Sequence, residues 1–175
     1  SYGSFYVGTW LSNVNWSGGG YEQDWYAGYG FDTGPVNWDV GYIYYSYPVY
    51  DNSDFGEIYA NLSWTWLNGG LAYTLNSDSV SPADETGNLY YYIGGSWDVK
   101  GLTLAATFGI YDFNSDSALQ NNVANPDYSH IQLSVEKDGF TFALDKNDAK
   151  DNSSWGASAS DYRFWLSYTK DFDLL

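Results

Sequence analysis

The sequence contains no cysteine and no methionine among its 175 residues, and it has only 6 Lys and Arg and a single His. Without Cys and Met, the protein cannot be a disulfide scaffold, hold a thiolate metal site, use a Cys nucleophile or ligate haem through Met. Its 22 acidic side chains leave a formal net charge of −16. Six cations cannot form the basic groove that phosphate recognition needs, so nucleic-acid binding is excluded.

The sequence also lacks a long apolar run. A membrane-spanning helix needs roughly 18 consecutive apolar residues, and Asn, Asp, Gly or Ser interrupts every apolar stretch before that length. Aromatic residues, in contrast, make up 21% of the chain, and there are 19 glycines. This composition does not suit a disordered polar chain, and the length predicts a single domain over residues 1–175.

Apolar and polar side chains alternate with a period of two along most of the chain. In the segment 102–110, for example, Leu102, Leu104 and Phe108 point to one side while Thr103 and Thr107 point to the other. This alternation is typical of β-strands. The predicted strands are 5–14, 23–31, 36–47, 57–66, 71–75, 89–99, 102–110, 130–136, 140–145 and 162–169. The sequence therefore predicts an all-β chain of about ten strands.

Short and long connections take turns between these strands. Tight turns are predicted at 32–35, 68–70, 100–101 and 138–139, because Gly supplies the positive φ that hairpin turns require. Longer polar links are predicted at 17–21, 48–54, 76–86, 114–127 and 145–160. This pattern is typical of an antiparallel up-and-down transmembrane β-barrel. With the tight turns in the periplasm, we expect a bacterial outer-membrane protein whose termini both lie in the periplasm.

The lipid bilayer explains the aromatic content. A sheet in lipid must close on itself to pair its backbone groups, and Trp and Tyr prefer the headgroup region. We predict an aromatic girdle formed by Trp10, Trp16, Trp64, Trp66, Trp97 and Trp165. The alternative is a soluble, aromatic-rich, carbohydrate-binding β-sandwich whose rings fill its core.

Four segments in the first third of the chain carry recognisable motifs. They are FYVGTWLSNV at 5–14, EQDWYAGY at 22–29, DVGYIYYSYP at 39–48 and FGEIY at 55–59. In order and spacing they resemble the TorF family of proteobacterial outer-membrane porins, and RFWLSYTKDF at 163–172 is similar to the closing strand of that family. The resemblance implies the lipid bilayer and the outer-membrane assembly machinery as partners, with Phe172 as the assembly signal.

Two features depart from that family. The chain continues past Phe172 with Asp173, Leu174 and Leu175, whereas such barrels end on an aromatic residue. Family members also open with a further hairpin, bearing an Arg-Gly-rich signature, before the segment that matches Phe5. The resemblance therefore implies a native barrel of twelve strands, two more than the ten visible here.

The enclosed face of the predicted barrel is rich in carboxylates. The predicted pore-lining residues are Glu22, Asp24, Asp39, Glu57, Asp98, Glu136 and Arg163. Rings of carboxylates favour cations, and ten to twelve strands enclose a narrow interior, which Tyr59, Tyr90 and Tyr92 narrow further. We predict a porin-like channel for passive passage of small cationic or neutral solutes. The alternative for these charges is a closed polar core in which Arg163 and water satisfy the carboxylates.

Catalysis is not predicted. Nucleophilic catalysis needs a base beside its nucleophile, and His130 has Asp127 and Ser129 near it only in sequence. We therefore expect no enzyme, no catalytic residue and no cofactor.

Two predicted loops carry clusters of the oxygen ligands that calcium accepts. The clusters are Asp145, Asn147, Asp148 and Asp151 in one loop and Asp51, Asn52 and Asp54 in the other. The first does not follow the EF-hand pattern, because Gly156 stands where a bidentate Glu is required. Solvated acidic loops are the preferred interpretation, so no metal site is predicted.

Trp16 beside the glycines 18–20, and Trp155 beside Ser153 and Ser154, place indole rings in long connections where sugars could stack. A non-conducting outer-membrane barrel that acts as a surface recognition or adhesion protein is therefore the second functional hypothesis.

Overall fold

The computed structural model describes residues 2–14, 19–114, 127–149 and 160–170. Within these ranges the chain forms ten β-strands and one 3₁₀ turn at Pro82–Asp84. The strands are β1 (Phe5–Val14), β2 (Gly20–Thr33), β3 (Val36–Ser46), β4 (Phe55–Trp64), β5 (Leu67–Ser77), β6 (Leu89–Val99), β7 (Leu102–Asp112), β8 (Tyr128–Lys137), β9 (Phe140–Asn147) and β10 (Arg163–Tyr168). The predicted all-β fold is confirmed. The described part of the chain contains no helix with the length and apolar character needed to cross a membrane.

The ten strands belong to one antiparallel sheet in which each strand pairs with its neighbours in sequence, from β1 to β10. The predicted up-and-down arrangement is therefore confirmed. The pairing is continuous along most strands, as between β6 and β7, where it runs from Leu89 opposite Asp112 to Val99 opposite Leu102. A single register shift, between Gly56 and Glu57, interrupts the pairing of β4 with β5.

The strand bounds confirm the alternation of short and long connections. The tight turns occupy residues 34–35, 65–66, 100–101 and 138–139, two residues each. Both residues of the last two turns have positive φ, the conformation of the two-residue hairpins that match the twist of a sheet. The long connections span residues 15–19, 47–54, 78–88, 113–127 and 148–162, so all five leave the same end of the sheet.

One predicted turn is wrong. The turn between β4 and β5 lies at Thr65 and Trp66, with Thr65 at a φ of 56°, and not at residues 68–70. Asn68, Gly69 and Gly70 belong to β5. A Cβ atom at Gly70 would overlap the side chains of Asn61 and Tyr92, so this glycine permits a close approach inside the sheet instead of a turn.

The two faces of the sheet differ in character. Because side chains alternate along a strand and directly paired residues share a face, the register assigns Leu133, Phe142 and Leu166 to one face and Asp24 to the other. The three apolar side chains are 47%, 47% and 69% exposed, whereas Asp24 is 6% exposed. Within the described ranges, only four apolar side chains are buried. The sheet therefore has an exposed apolar face and a more enclosed polar face.

Candidate functional site

All seven predicted pore-lining residues lie on the polar face. The register pairs Asp24 with Tyr45, Asp39 with Gly30 and Arg163 with Asp145. Because paired residues share a face, following the pairs from strand to strand shows that the remaining carboxylates lie on the same face. The residues that share this face are Glu22, Asp24, Asp39, Glu57, Asp98, Glu136 and Arg163. Tyr59, Tyr90 and Tyr92 join them there, as the sequence predicted.

The polar face is concave. A cavity of about 400 Å³ is lined by side chains from every strand between β1 and β6, including Tyr6, Asp39, Glu57 and Tyr92. In a flat sheet, β1 and β6 would lie about 24 Å apart, too far for both to line a cavity of that volume. The sheet must therefore curl toward its polar face. We call this space the acidic cavity.

Tyrosine side chains bridge the strands of the acidic cavity. The Tyr6 hydroxyl in β1 donates a hydrogen bond of 2.6 Å to Asp39 Oδ1 and lies 2.5 Å from the hydroxyl of Tyr59 in β4. These rings lie over the backbone of the intervening strands, where a Cβ atom at Gly41 would overlap Tyr59. Glycine on β3 thus makes room for a tyrosine from β4, and the rings narrow the cavity.

Hydroxyl groups, and no cations, hold the carboxylates of this region. Glu57 accepts hydrogen bonds from Tyr45 (3.3 Å) and Thr74 (3.2 Å), and Glu22 accepts one from Tyr47. Among the described residues, no Lys or Arg pairs with Glu22, Asp24, Asp39 or Glu57. The negative charge of this wall is therefore not neutralised by the part of the protein that the structure describes.

Asp24 is the least satisfied of these groups. It is 6% exposed, and its Oδ1 atom has no hydrogen-bond partner. Its direct neighbours across the sheet are Trp10 in β1 and Tyr45 in β3. A buried carboxylate without a partner is costly, so Asp24 marks a position where a ligand, an ion or a proton would be favoured.

A second cavity, of about 350 Å³, lies on the polar face between β7 and β10, and we call it the mixed cavity. Both charge signs line it, with Arg163, Lys146 and Asp145 beside His130. Asp145 accepts hydrogen bonds from Gln132 (2.8 Å) and from the Trp165 indole (2.7 Å). These two donors are neutral, as are those of Glu57, but basic side chains in the same cavity compensate the charge of Asp145, whereas no described Lys or Arg lines the acidic cavity.

A ladder of rings separates the two cavities. The rings of Tyr90 and Tyr111 have centroids 4.3 Å apart, and those of Tyr111 and Tyr128 are 4.9 Å apart. The Tyr90 hydroxyl lies 3.0 Å from Nε2 of His130. His130 thus belongs to a hydrogen-bonded aromatic cluster, and among the described residues its side-chain hydrogen bond and ring contacts are with Tyr90 and Tyr111, not with a Ser or Thr nucleophile.

The long connections after β3 and β5 are tied together by hydrogen bonds at one end of the sheet. Asp54 accepts hydrogen bonds from the Tyr47 amide (2.7 Å) and the Tyr44 hydroxyl (3.0 Å), and its own amide donates to Asp78 (2.8 Å). These contacts anchor the segment 78–88, which carries Asp84. This end of the sheet is therefore partly covered by ordered chain.

Two groups in these connections have shifted pKa values. Burial raises the pKa of Asp84, and the nearby Glu22 carboxylate adds to the rise, although the hydroxyls of Ser79 and Ser81 act in the opposite sense. Burial, together with the hydrogen bond to Glu22, also raises the pKa of Tyr47. Tyr47 therefore remains a hydrogen-bond donor at neutral pH, and Asp84 loses its charge more readily than an ordinary Asp.

The predicted aromatic girdle divides between the two faces. Trp64 and Trp97 lie on the apolar face, and Trp66, in the turn after β4, stacks on Trp97 with ring centroids 5.5 Å apart. Trp10 and Trp165 lie on the polar face, opposite Asp24 and Ala143. Nearness to a strand end does not determine the face, which depends on register. Trp16, Trp155 and Phe172 lie outside the described residues.

Asp98 and Glu136 are remote from the acidic cavity. They share one cross-strand row near the tight turns, on either side of Thr103, whose hydroxyl donates to Asp98 at 2.8 Å. The polar face therefore carries carboxylates along its whole length, and only some of them gather in a cavity.

The oxygen-bearing side chains of the two acidic clusters that the structure describes do not form a common site, and Asp151 lies outside the described residues. Asp145 and Asn147 belong to β9 and not to a loop, and Asp54 is engaged by its own loop. Asp148 is tied to Ser129, whose amide and hydroxyl donate to it at 2.6 and 2.8 Å. Over the ranges that the structure describes, no three acidic or His side chains are placed to hold a metal ion.

Sequence reasoning missed Tyr6 and Tyr45, which donate hydrogen bonds to carboxylates of the acidic cavity, and the approach of Asp84 to Glu22. Tyr6 and Tyr45 lie on the polar side of alternating strands, so their period could have revealed their face. Their hydrogen bonds to carboxylates on other strands depend on register. The position of Asp84 depends on how a long connection folds back, which has no local sequence signal.

Comparison with known families places the chain in a group defined by sequence. The family described as a bacterial protein of unknown function, Gcw_chp, matches residues 2–167. The chain belongs to this family. No curated protein and no solved structure matches it. The Gcw_chp match covers the segments that resemble TorF porins but carries no functional assignment, so that resemblance stays a prediction.

Proposed function

We propose that this Gcw_chp protein is a porin-like channel of the bacterial outer membrane, through which small cationic or neutral solutes pass along a narrow acidic lumen. Three features support the proposal: an exposed apolar face, a concave polar face and uncompensated carboxylates on that concave side. The resemblance of its first strands to TorF porins is consistent with it.

The apolar face carries the proposal. Large apolar side chains are exposed on every strand except β3, among them Val7, Trp25, Ile93, Phe108 and Leu166. A soluble protein rarely exposes so extensive an apolar surface, and a sandwich would bury it between two sheets. Lipid would cover this face, because the outer surface of a transmembrane barrel must be apolar.

We further propose that the sheet closes into a barrel. Unpaired backbone groups in lipid cost several kcal/mol each, so an open edge is not tolerated there. The curl toward the polar face brings β1 and β6 to one cavity, the direction of bending that closure requires. Closure would join β10 to β1, directly or through further strands.

The electrostatics of the lumen would favour cations. Carboxylates without cationic partners, enclosed by low-dielectric walls, concentrate cations and repel anions. The tyrosine bridge from Tyr6 to Tyr59 narrows the acidic cavity, so we expect small solutes and a low conductance. The long connections would face the cell exterior and the tight turns the periplasm, as in other barrels of this kind.

The first test concerns the membrane. The purified full chain is run on SDS gels with and without boiling, and its size is measured in buffer with and without detergent. We expect a faster-migrating form before boiling and aggregation without detergent, because closed barrels resist SDS and expose an apolar band. A monodisperse protein in plain buffer would contradict the proposal and favour the soluble sandwich.

The second test concerns transport. The protein is inserted in planar bilayers, and the reversal potential is measured across a KCl gradient. We expect small single-channel steps with cation preference. Anion preference would contradict the acidic lumen. A heat-modifiable protein that never conducts would instead favour the surface recognition hypothesis.

A further inference from the structure

Four carboxylates of the polar face lie in successive rows along the wall formed by β2, β3 and β4, with one row, that of Gly28, left without a carboxylate. Glu22 and Asp24 lie two residues apart on β2, and Glu57 is in line with the next inward position, because Ile43 pairs with both Tyr26 and Glu57. Asp39 pairs with Gly30, further along the same strand. Successive inward positions on a strand are about 6.7 Å apart. We call these four residues the acidic ladder.

The ladder contains a buried carboxylate with nothing to neutralise it. The side chain of Asp24 is only 6% exposed, and its Oδ1 atom has no hydrogen-bond partner. The other three members accept hydrogen bonds from Tyr47, Tyr45 and Tyr6. A hydroxyl satisfies an acceptor but brings no positive charge, so the ladder retains its negative charge as well as one empty acceptor.

The spacing of the ladder selects the kind of cation. A divalent metal ion needs several oxygen ligands converging at 2.0 to about 2.6 Å, and no three acidic or His side chains in the described residues are placed for this. Charges spread along a wall are matched by a ligand whose own charges are spread along a chain. Alkyl segments of such a ligand would lie against the rings of Tyr26 and Tyr45, which also attract ammonium groups.

We propose that the acidic ladder binds a linear aliphatic polyamine, extended along β2 with one ammonium group at Asp24. Its other ammonium groups, separated by short methylene chains, lie beside Glu22, Glu57 and Asp39. This inference extends the proposed function and rests on it, because it assumes that the acidic ladder faces the lumen of the channel.

The test measures binding apart from conductance. Spermidine is titrated into the heat-modifiable full chain in detergent by calorimetry, beside butylamine and Mg²⁺. We expect saturable binding of spermidine that weakens with salt, and much weaker binding of both comparison cations. Absence of saturable spermidine binding overturns the proposal, and so does equal binding of Mg²⁺, because diffuse charge would then explain both.

Single variants locate the site. Asp24→Asn should weaken spermidine binding by about tenfold or more, the loss expected for one charge-assisted hydrogen bond. Asp32→Asn is the matched control, since it removes the same charge from the same strand and face at the far end, where Asp32 is exposed and bonded to Asn37. Equal losses in both variants overturn the proposal. Glu22→Gln serves as the second variant if Asp24→Asn no longer shows the heat shift.

Bilayer recordings separate this inference from the proposed function. Cation-selective conductance without spermidine binding or block would support the channel function and overturn the proposal that the acidic ladder binds a polyamine. Spermidine binding by a protein that never conducts supports the ladder and contradicts the channel. Block of the cation current by micromolar spermidine, relieved by Asp24→Asn, supports both.

Discussion

The acidic cavity and the mixed cavity share one face of one sheet, yet they treat their carboxylates in opposite ways. In the mixed cavity, Asp145 receives two hydrogen bonds and lies opposite Arg163. In the acidic cavity, Glu57 and Asp39 have only hydroxyl donors and no described basic neighbour, and Oδ1 of Asp24, which pairs across the sheet with the cavity residue Tyr45, has no donor. The same fold thus holds a compensated wall and an uncompensated one. Ion preference, where it exists, should arise on the uncompensated wall.

The largest effect is expected from a substitution that places a charge on the apolar face. Leu133 lies mid-strand on the apolar face, and Leu133→Arg should destabilise the membrane-inserted protein by about 2–4 kcal/mol, because a charge would face lipid. Urea unfolding in lipid vesicles, with cold SDS mobility, measures this loss. Gln132→Arg, one residue away on the polar face, is the control and should be tolerated. Similar losses in both would show that the faces are not distinguished by lipid.

Neutralising the acidic cavity should give the next largest effect. The pair Asp39→Asn and Glu57→Gln should lower the cation-to-anion permeability ratio about thirtyfold, since each of the two carboxylates near a passing ion contributes on the order of 1 kcal/mol. Reversal potentials measure the ratio. The pair Asp98→Asn and Glu136→Gln removes the same charge near the tight turns and should change the ratio less. A greater effect of that second pair would locate selectivity outside the acidic cavity.

Removing Arg163, one of the two basic side chains that line the mixed cavity, should increase the contrast more modestly. Arg163→Gln would leave Asp145 with both of its hydrogen-bond donors, Gln132 and Trp165. We expect the cation preference to rise by about twofold, because one positive charge is lost from the lumen. The same reversal potentials measure it. A fall in cation preference would indicate that Arg163 positions Asp145 for cations instead of offsetting it.

The smallest effect concerns pH at Asp84, in the long connection between β5 and β6. The pKa of Asp84 is raised in the folded protein, so this group takes up a proton above the ordinary value of 3.8 as pH falls. At pH values between the ordinary pKa and the raised pKa of Asp84, the folded state binds more protons than the unfolded state, and the free energy of unfolding therefore rises as pH falls. Over the same window the loss of negative charge should reduce cation current.

Asp84→Asn tests this pH response. Glu22, Ser79 and Ser81 influence the ionisation of Asp84 through charge or hydrogen bonds. The charge of Asp84 in turn interacts electrostatically with Tyr47 and Glu57. The variant should remove part of the fall in cation current on mild acidification and leave the remainder to the lumen carboxylates. An unchanged pH profile would show that Asp84 does not influence the current.

Much of the fold was predictable because the alternation of apolar and polar side chains with a period of two can be detected within each short segment. The strands Phe5–Val14 and Leu89–Val99 have the predicted bounds, and the seven charged residues predicted on one face share that face. The turn at 68–70 was wrong because glycine serves either a turn or a close approach, and only the neighbours Asn61 and Tyr92 decide which. Trp10 and Trp165 were grouped with the girdle by position along the strand, which does not report the face.

The sequence by itself determined that one face of these strands is apolar and the other polar, since a strand places alternate residues on opposite sides regardless of its partners. The tertiary structure alone decided which carboxylates meet and which remain uncompensated. Register sets which residues of different strands lie in one row, and curvature brings distant strands to one cavity. Neither property is encoded by any short segment, so the contrast between Asp24 and Asp145 emerges only when ten strands are paired.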